Sequence, residues 1–199
     1  FSESICKDST FYPAYLNLGG LYRQTGKPDS ALVVFEMGIR YVQNAELYNN
    51  YGIQLVESGR LPDGIRAYQQ AVRMDPGYAP SYHNMGNAYR SLGEFPKAEA
   101  SYRQALKVDP TLVEAHHALG MLYVLQGRYP EAVSEMETAV KERPGELGFE
   151  IALARVYAAA GNPSRAIEVY DRILGFNPSL GFLIAERDSF KKQFPSRKP

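Results

Sequence analysis

Histidine is the residue type in this sequence whose number and spacing could support metal binding or acid–base chemistry. The chain of 199 residues has three histidines, His83, His116 and His117, and one cysteine, Cys6. His83 and His117 lie 34 residues apart, but no second cysteine or clear carboxylate accompanies them at metal-ligand spacing. We therefore expect the histidines to form hydrogen bonds, and we predict no metal ion and no cofactor.

Motifs of the common enzyme classes do not occur in the sequence. It contains no phosphate-binding loop, no dinucleotide-binding glycine motif, no nucleophile elbow, and no HExxH or CxxC motif. The sequence therefore predicts a protein without catalytic activity.

Composition and charge exclude two classes of partner. The 22 Lys and Arg residues balance the 22 Asp and Glu residues, so the net charge is zero, whereas sequence-independent binding to nucleic acid requires a cationic excess. The longest apolar stretch, residues 118–125, is far shorter than the roughly 18 residues that span a bilayer. We expect a soluble, cytoplasmic protein that binds neither nucleic acid nor a membrane.

Glycine recurs with a nearly constant period along the chain. Five glycines are separated by 33, 34, 34 and 34 residues: Gly26, Gly59, Gly93, Gly127 and Gly161. Small residues keep the same period five positions later: Ala31, Gly64, Ala98, Ala132 and Ala166. Such self-similarity is typical of stacked repeats.

Proline positions divide each repeat into two helices. A set of prolines lies one to three residues after each recurring glycine: Pro28, Pro62, Pro96, Pro130 and Pro163. Proline is favoured at the first turn of a helix, where its missing N–H has no partner to lose. Apolar residues between the prolines recur with helical spacing, as in Leu18, Leu21 and Tyr22. Each repeat is thus predicted to be a helix, a glycine-centred turn and a second helix, and the fold all-α.

Five repeats and two flanking segments make up the predicted single domain, residues 1–199. The repeats are residues 12–44, 45–78, 79–112, 113–146 and 147–180. Residues 1–11 match the second half of a further repeat, which predicts an open apolar end that is covered by preceding chain, by a partner protein or by a second copy of the chain. Residues 181–199 are predicted to form a capping helix, with an apolar stripe and a charged outer face, followed by a tail.

The repeated columns resemble the tetratricopeptide repeat. The third repeat carries the resemblance most fully, with Tyr82, Met85, Gly86, Tyr89, Gly93, Ala98, Tyr102, Ala105 and Pro110. Departures are local, such as Gln43 for the terminal proline of the first repeat and Ala154 for a glycine of the fifth. The resemblance implies a right-handed superhelical solenoid of antiparallel helix pairs, in which the first helices line a concave, peptide-binding face.

The same resemblance assigns the inward-facing residues. The predicted binding residues on these columns are Asn49, His83, Asn87, Arg90, His117, Met121, Val124, Leu125 and Arg155. In the fourth and fifth repeats Met121, Val124 and Leu125 form an apolar floor together with Ile151, Ala158 and Ala159, unless the capping helix covers part of it. A neighbouring column holds Asn17, Asn50 and Asn84, whose amides either bind the main chain of an extended peptide or form local bonds between helices.

Two functions follow from the resemblance. The first is a non-catalytic scaffold that binds a peptide or helix of a partner protein in the concave groove. The alternative is a substrate-recognition arm of a larger enzyme such as a glycosyltransferase, because the sequence begins with Phe1 and with half a repeat. The asparagine column is also similar to the ladder in the repeats of O-linked N-acetylglucosamine transferase. Binding of acidic chaperone tails is disfavoured, since the lysines of the family's carboxylate clamp are missing.

Overall fold

The computed structural model describes residues 11–194, which form α-helices joined by turns, with no strand in that range. These residues divide into two compact units, residues 11–110 and residues 111–194. The predicted all-α repeat fold is confirmed. The single-domain boundaries stay a prediction, and the half repeat and the extreme tail lie outside the described residues.

The helices follow one another in pairs within each unit. Unit 1 contains α1 Tyr12–Gln24, α2 Pro28–Tyr41, α3 Ala45–Glu57, α4 Leu61–Met74, α5 Ala79–Ser91 and α6 Phe95–Val108. Unit 2 contains α7 Val113–Leu125, α8 Tyr129–Glu142, α9 Leu147–Ala159, α10 Pro163–Phe176 and α11 Gly181–Gln193. No helix among the described residues has the length and apolar character needed to cross a membrane.

The recurring glycines form the turn inside each pair. Gly26 has a φ of 70°, and its counterparts also lie in the left-handed region that favours glycine. The next backbone N–H, that of Lys27, donates to the carbonyl oxygen of Tyr22 at 2.9 Å. This bond satisfies one of the carbonyls left open at the end of the first helix. The chain then reverses within three residues, so the second helix packs back on the first.

A second column of small residues sets the distance between paired helices. A Cβ at Gly19 would lie 2.5 Å from the ring of Phe35, and one at Gly86 would lie 2.5 Å from the ring of Tyr102. The aromatic ring therefore occupies the space that a side chain on the first helix would need. Phe35 and Tyr102 are fully buried, as core side chains in close-packed interiors usually are.

Helix α11 packs on α10 at the end of unit 2. Its Leu183 is fully buried. Asp171 of α10 accepts hydrogen bonds from Arg187 at 3.0 Å and from Lys191 at 3.1 Å. Leu183 is the one buried residue of this helix, and the charged side chains predicted to face outward, Arg187 and Lys191, pair with α10 instead.

Candidate binding surfaces

An apolar groove of about 320 Å³ lies between α7 and α9 of unit 2. Its lining residues are His117, Met121, Val124, Gly148, Ile151, Ala152, Arg155 and Val156. We call this concavity the α7–α9 groove.

Helical spacing places these residues on facing sides. On α7, His117, Met121 and Val124 stand at i, i+4 and i+7, which is one face of a helix. On α9, Gly148 and Ala152 stand one turn apart and are small, so they leave the groove deep. A Cβ added at Gly148 would meet no atom within 4 Å.

Aromatic contacts fix the histidine at one end of the groove. The ring of His117 lies 5.1 Å from the ring of Phe149 between centroids. The guanidinium of Arg143 lies 5.6 Å from the same Phe149 ring, which is a cation–π contact. The imidazole therefore packs as part of the wall.

Arg155 brings a cation to the groove and is held by α11. Its Nε and Nη2 donate to the two carboxylate oxygens of Glu186, each at 3.0 Å. The hydroxyl of Tyr170 donates to the same carboxylate at 2.9 Å. The hydrogen bonds from Arg155 lower the pKa of Glu186 below its ordinary value, and those to Glu186 raise the pKa of Arg155.

Two acidic residues of the helices that form the groove are also paired. Glu114, one turn before His117 on α7, accepts from Arg143 at 2.8 Å. Glu150, next to Ile151 in the sequence but on another side of α9, lies 3.5 Å from the guanidinium of Arg172.

The predicted asparagine face lies in unit 1 and is engaged with other parts of the chain. Asn49 is only 5% exposed, and its carbonyl oxygen accepts from Ser81 Oγ and from Asn84 Nδ2, each at 3.0 Å. Asn50 donates to the carbonyl of Glu46, one turn earlier in α3, at 2.9 Å. Asn17 is exposed on α1.

A second polar cluster joins α5 to α6. The Asn87 amide nitrogen lies 2.9 Å from His83 Nε2, to which it donates, and its carbonyl oxygen accepts from the Tyr102 hydroxyl at 2.7 Å. Burial raises the pKa of that hydroxyl to about 12. The positive charge of the half-buried Arg90 lowers the pKa of the same hydroxyl and so offsets part of the effect of burial. Both ends of the Asn87 amide thus have a partner within the protein.

The structure brings together only part of the predicted set. His117, Met121, Val124 and Arg155 line one groove, whereas Leu125 is 60% exposed and lies outside its lining. His116, assigned to a core column, lies 2.7 Å from the carboxylate of Glu135, a partner that the sequence analysis did not find. No group of side chains suited to hold a metal ion occurs among residues 11–194.

Some residues that line the groove could not be assigned from the sequence, for identifiable reasons. Gly148, Ala152 and Val156 occupy columns other than the four assigned to the concave face, although their spacing of four residues was a usable signal. The pairing of Arg155 with Glu186 spans 31 residues, and no local pattern encodes it.

Comparisons with protein families agree with this architecture. Models described as tetratricopeptide repeat match residues 12–40, 67–100 and 123–179, and one described as TPR repeat matches residues 86–127. No curated protein matches the sequence significantly.

Several solved structures share the fold at low sequence identity. PilW, a widely conserved type IV pilus biogenesis factor, is 21% identical with a TM-score of 0.81, over 92% of this chain and 86% of PilW. A tetratricopeptide repeat protein from Parabacteroides merdae is 20% identical with a TM-score of 0.74, over 90% of this chain and 72% of that one. YrrB, described as a TPR protein with an unusual peptide-binding site, is 18% identical with a TM-score of 0.68, over 94% and 97%. At these identities the likeness concerns the fold alone.

Proposed function

Because this chain belongs to the tetratricopeptide repeat family, we propose that it is a non-catalytic scaffold whose α7–α9 groove binds an apolar segment of a partner protein. The observation that carries the proposal is the groove itself, which presents Met121, Val124 and Ile151 to solvent between two helices. Exposed apolar concavities with a polar border are typical of docking sites.

The size of the groove suits side chains of a partner. A volume of about 320 Å³ is at the small end of the roughly 300–1,000 Å³ range of ligand pockets. It accommodates a few aliphatic side chains, such as those that an amphipathic helix presents at i, i+3 and i+4. Burying one such side chain contributes about 1.5–3 kcal/mol.

Met121 adds adaptability to the groove. Its unbranched thioether adopts several rotamers at low cost, so it can repack around partner side chains of different shapes. His117 supplies a polar ring nitrogen near the main chain of a bound segment, while its contact with Phe149 keeps the ring oriented.

The asparagines of unit 1 are a weaker candidate for the same role. Hydrogen bonds within the chain already engage Asn49, Asn50, Asn84 and Asn87. A peptide would therefore have to replace those bonds or use the donors and acceptors that the asparagines have left. The bond from Asn84 to Asn49 of α3 fits the interpretation that this column joins neighbouring helices, whereas Asn50 bonds within its own helix. The peptide-binding site noted for YrrB is consistent with recognition of peptides by this fold in general.

The alternative, a substrate-recognition arm of a larger enzyme, has no support among the matched families, all of which are described as repeats. We therefore do not build on it.

Selection from a displayed library of amphipathic helical peptides tests the proposal. We expect enriched peptides with two or three aliphatic anchors at helical spacing, and we expect Met121→Glu to weaken their binding at least tenfold, since a carboxylate would be buried without a partner. Phe176→Glu is the matched control, because Phe176 lies in the same unit, is 83% exposed and is not part of the groove. Equal loss of binding in both variants, or no loss in Met121→Glu, contradicts the proposal.

A further inference from the structure

Arg155 is the cationic residue among those that line the α7–α9 groove. An arginine at the edge of an apolar groove ordinarily attracts a carboxylate of the ligand. Here the fork of the guanidinium is already occupied, since Nε and Nη2 both donate to Glu186 at 3.0 Å. The charge that a ligand would meet is therefore close to zero.

The counter-ion is fixed by the fold. Glu186 belongs to α11 and also accepts a hydrogen bond from the Tyr170 hydroxyl at 2.9 Å. Its helix is held by the buried Leu183 and by the ion pairs of Asp171 with Arg187 and Lys191. The carboxylate therefore stays beside Arg155 whether or not the groove is filled.

This arrangement has a consequence for ligand choice. A segment with an acidic side chain at the groove would have to remove that charge from water next to Arg155 and Glu186, whose charges cancel. No net attraction would then offset the cost of desolvation. A segment without acidic side chains pays no such cost, because most of the lining is aliphatic. Glu114, one turn before His117 on α7, is itself paired with Arg143.

We propose that Glu186 is a specificity-determining residue of the α7–α9 groove: by neutralising Arg155 it makes the groove select uncharged apolar segments and discriminate against acid-bearing ones. This inference rests on the proposed function of the groove. Glu186 acts through Arg155 and is a positioning residue. The partner segment it fits is an amphipathic helix with Leu, Ile, Val or Met anchors and no Asp or Glu beside them.

Two fluorescent probes that share one aromatic skeleton test the inference in the full chain. N-phenylnaphthylamine is neutral, and anilinonaphthalene sulfonate carries one negative charge. We expect the wild type to bind the neutral probe more tightly. Glu186→Gln keeps one acceptor oxygen, which can still serve Arg155 Nε and the Tyr170 hydroxyl, but it loses the acceptor of Arg155 Nη2 and the negative charge. It should therefore tighten binding of the sulfonate roughly three- to fivefold at low salt, the size of an exposed ion-pair effect. Binding of the neutral probe should change less than twofold.

Two further variants separate charge from structure. In Arg155→Gln/Glu186→Gln the gain for the sulfonate should disappear, because the freed cation is gone. In Arg155→Gln alone the sulfonate should bind more weakly than in the wild type. Added salt should reduce the gain in Glu186→Gln, since surface charges are screened.

The outcomes distinguish the inference from the proposed function. Equal changes for both probes in Glu186→Gln, or none, overturn the role of Glu186 while leaving the groove in place. If Met121→Glu leaves binding of the neutral probe intact, the groove is not the binding site and both proposals fail. A changed ratio of sulfonate to neutral affinity that depends on Arg155 supports the inference, because a purely structural role of Glu186 would not alter that ratio.

Discussion

At the scale of single residues, two adjacent glycines of α1 occupy opposite environments. Gly19 faces the ring of Phe35, to which an added Cβ would approach within 2.5 Å. Gly20 faces open space, with no atom within 4 Å of an added Cβ. Gly19 is required for close packing of the helix pair. Gly20 makes no such contact and only raises the conformational entropy of the unfolded chain, which folding must overcome.

These two positions give opposite predictions for the same substitution. Gly19→Ala should lower the free energy of unfolding by about 1–3 kcal/mol, because the Phe35 ring must shift in a packed core. Gly20→Ala should raise it by about 0.5–1 kcal/mol, since alanine is the better helix former. Urea unfolding followed by circular dichroism measures both. Changes of the same sign in the two variants would contradict this account.

The Gly19 column shows which residue-level features a sequence can predict. Its period and the aromatic ring opposite it were visible as repeated columns, and the structure has the close contact that they imply. The pairing of Arg155 with Glu186 and the burial of Asn49 beneath Ser81 and Asn84 were not visible. These contacts depend on which residue type occupies the facing position of a neighbouring repeat, and that residue type differs between repeats.

At the scale of elements, α11 differs from the other helices in how much of its attachment is ionic. Glu186 receives hydrogen bonds from Arg155, which lower its pKa below the ordinary 4.5. Burial alone would raise the pKa of Asp171, but hydrogen bonds from Lys191 and Arg187 outweigh it and lower the pKa. Both carboxylates thus favour the folded state when ionised.

A pH dependence of stability follows with a defined sign. A carboxylate whose pKa is lowered by folding stabilises the folded state at pH values above its pKa in the unfolded chain. This stabilisation is lost as the pH falls through the lower pKa of the folded state. The melting temperature of the wild type should exceed that of Glu186→Gln by about 2 °C at pH 7, as expected for a largely exposed pair. The difference should shrink as pH falls below 4.5 and disappear once pH is below the lowered pKa of Glu186. Thermal melts at several pH values measure it, and a constant difference across that range would refute the linkage.

The turn inside each pair and the start of each second helix are the element-level features that the sequence predicts best. Proline and glycine mark them by backbone geometry, and Pro28 and Gly26 lie at the predicted places. The groove was predicted less completely: Met121 and Val124 line it, but Leu125, one residue further, does not. A helix turns by about 100° per residue, so Val124 and Leu125 face different surroundings although they are adjacent in the sequence.

At the scale of the whole molecule, packing within each unit is between neighbours. Contacts join the two helices of a pair, consecutive helices, and the first helices of adjacent pairs. In such an array each repeat is stabilised by itself and by its neighbours, and a disturbance decays along the chain.

Hydrogen exchange on the full chain can follow this decay. We expect Gly19→Ala to accelerate amide exchange in α1 and α2, to affect α3 less, and to leave α9 and α10 as in the wild type. Gly20→Ala serves as the control that alters sequence in the same helix without a clash. Uniform acceleration in all helices would mean that the chain opens as one cooperative body, contrary to the prediction.

The regular repeat also bears on how such a chain can acquire new partners. Met121 and Val124 of α7 occupy the columns that Asn87 and Arg90 occupy on α5, 34 residues earlier. The same repeat backbone thus carries apolar side chains at these positions in one repeat and polar side chains in another. Duplication or exchange of one repeat would change which partner is bound without requiring a new fold. A few surface substitutions are therefore enough for a chain of this kind to evolve a new binding specificity.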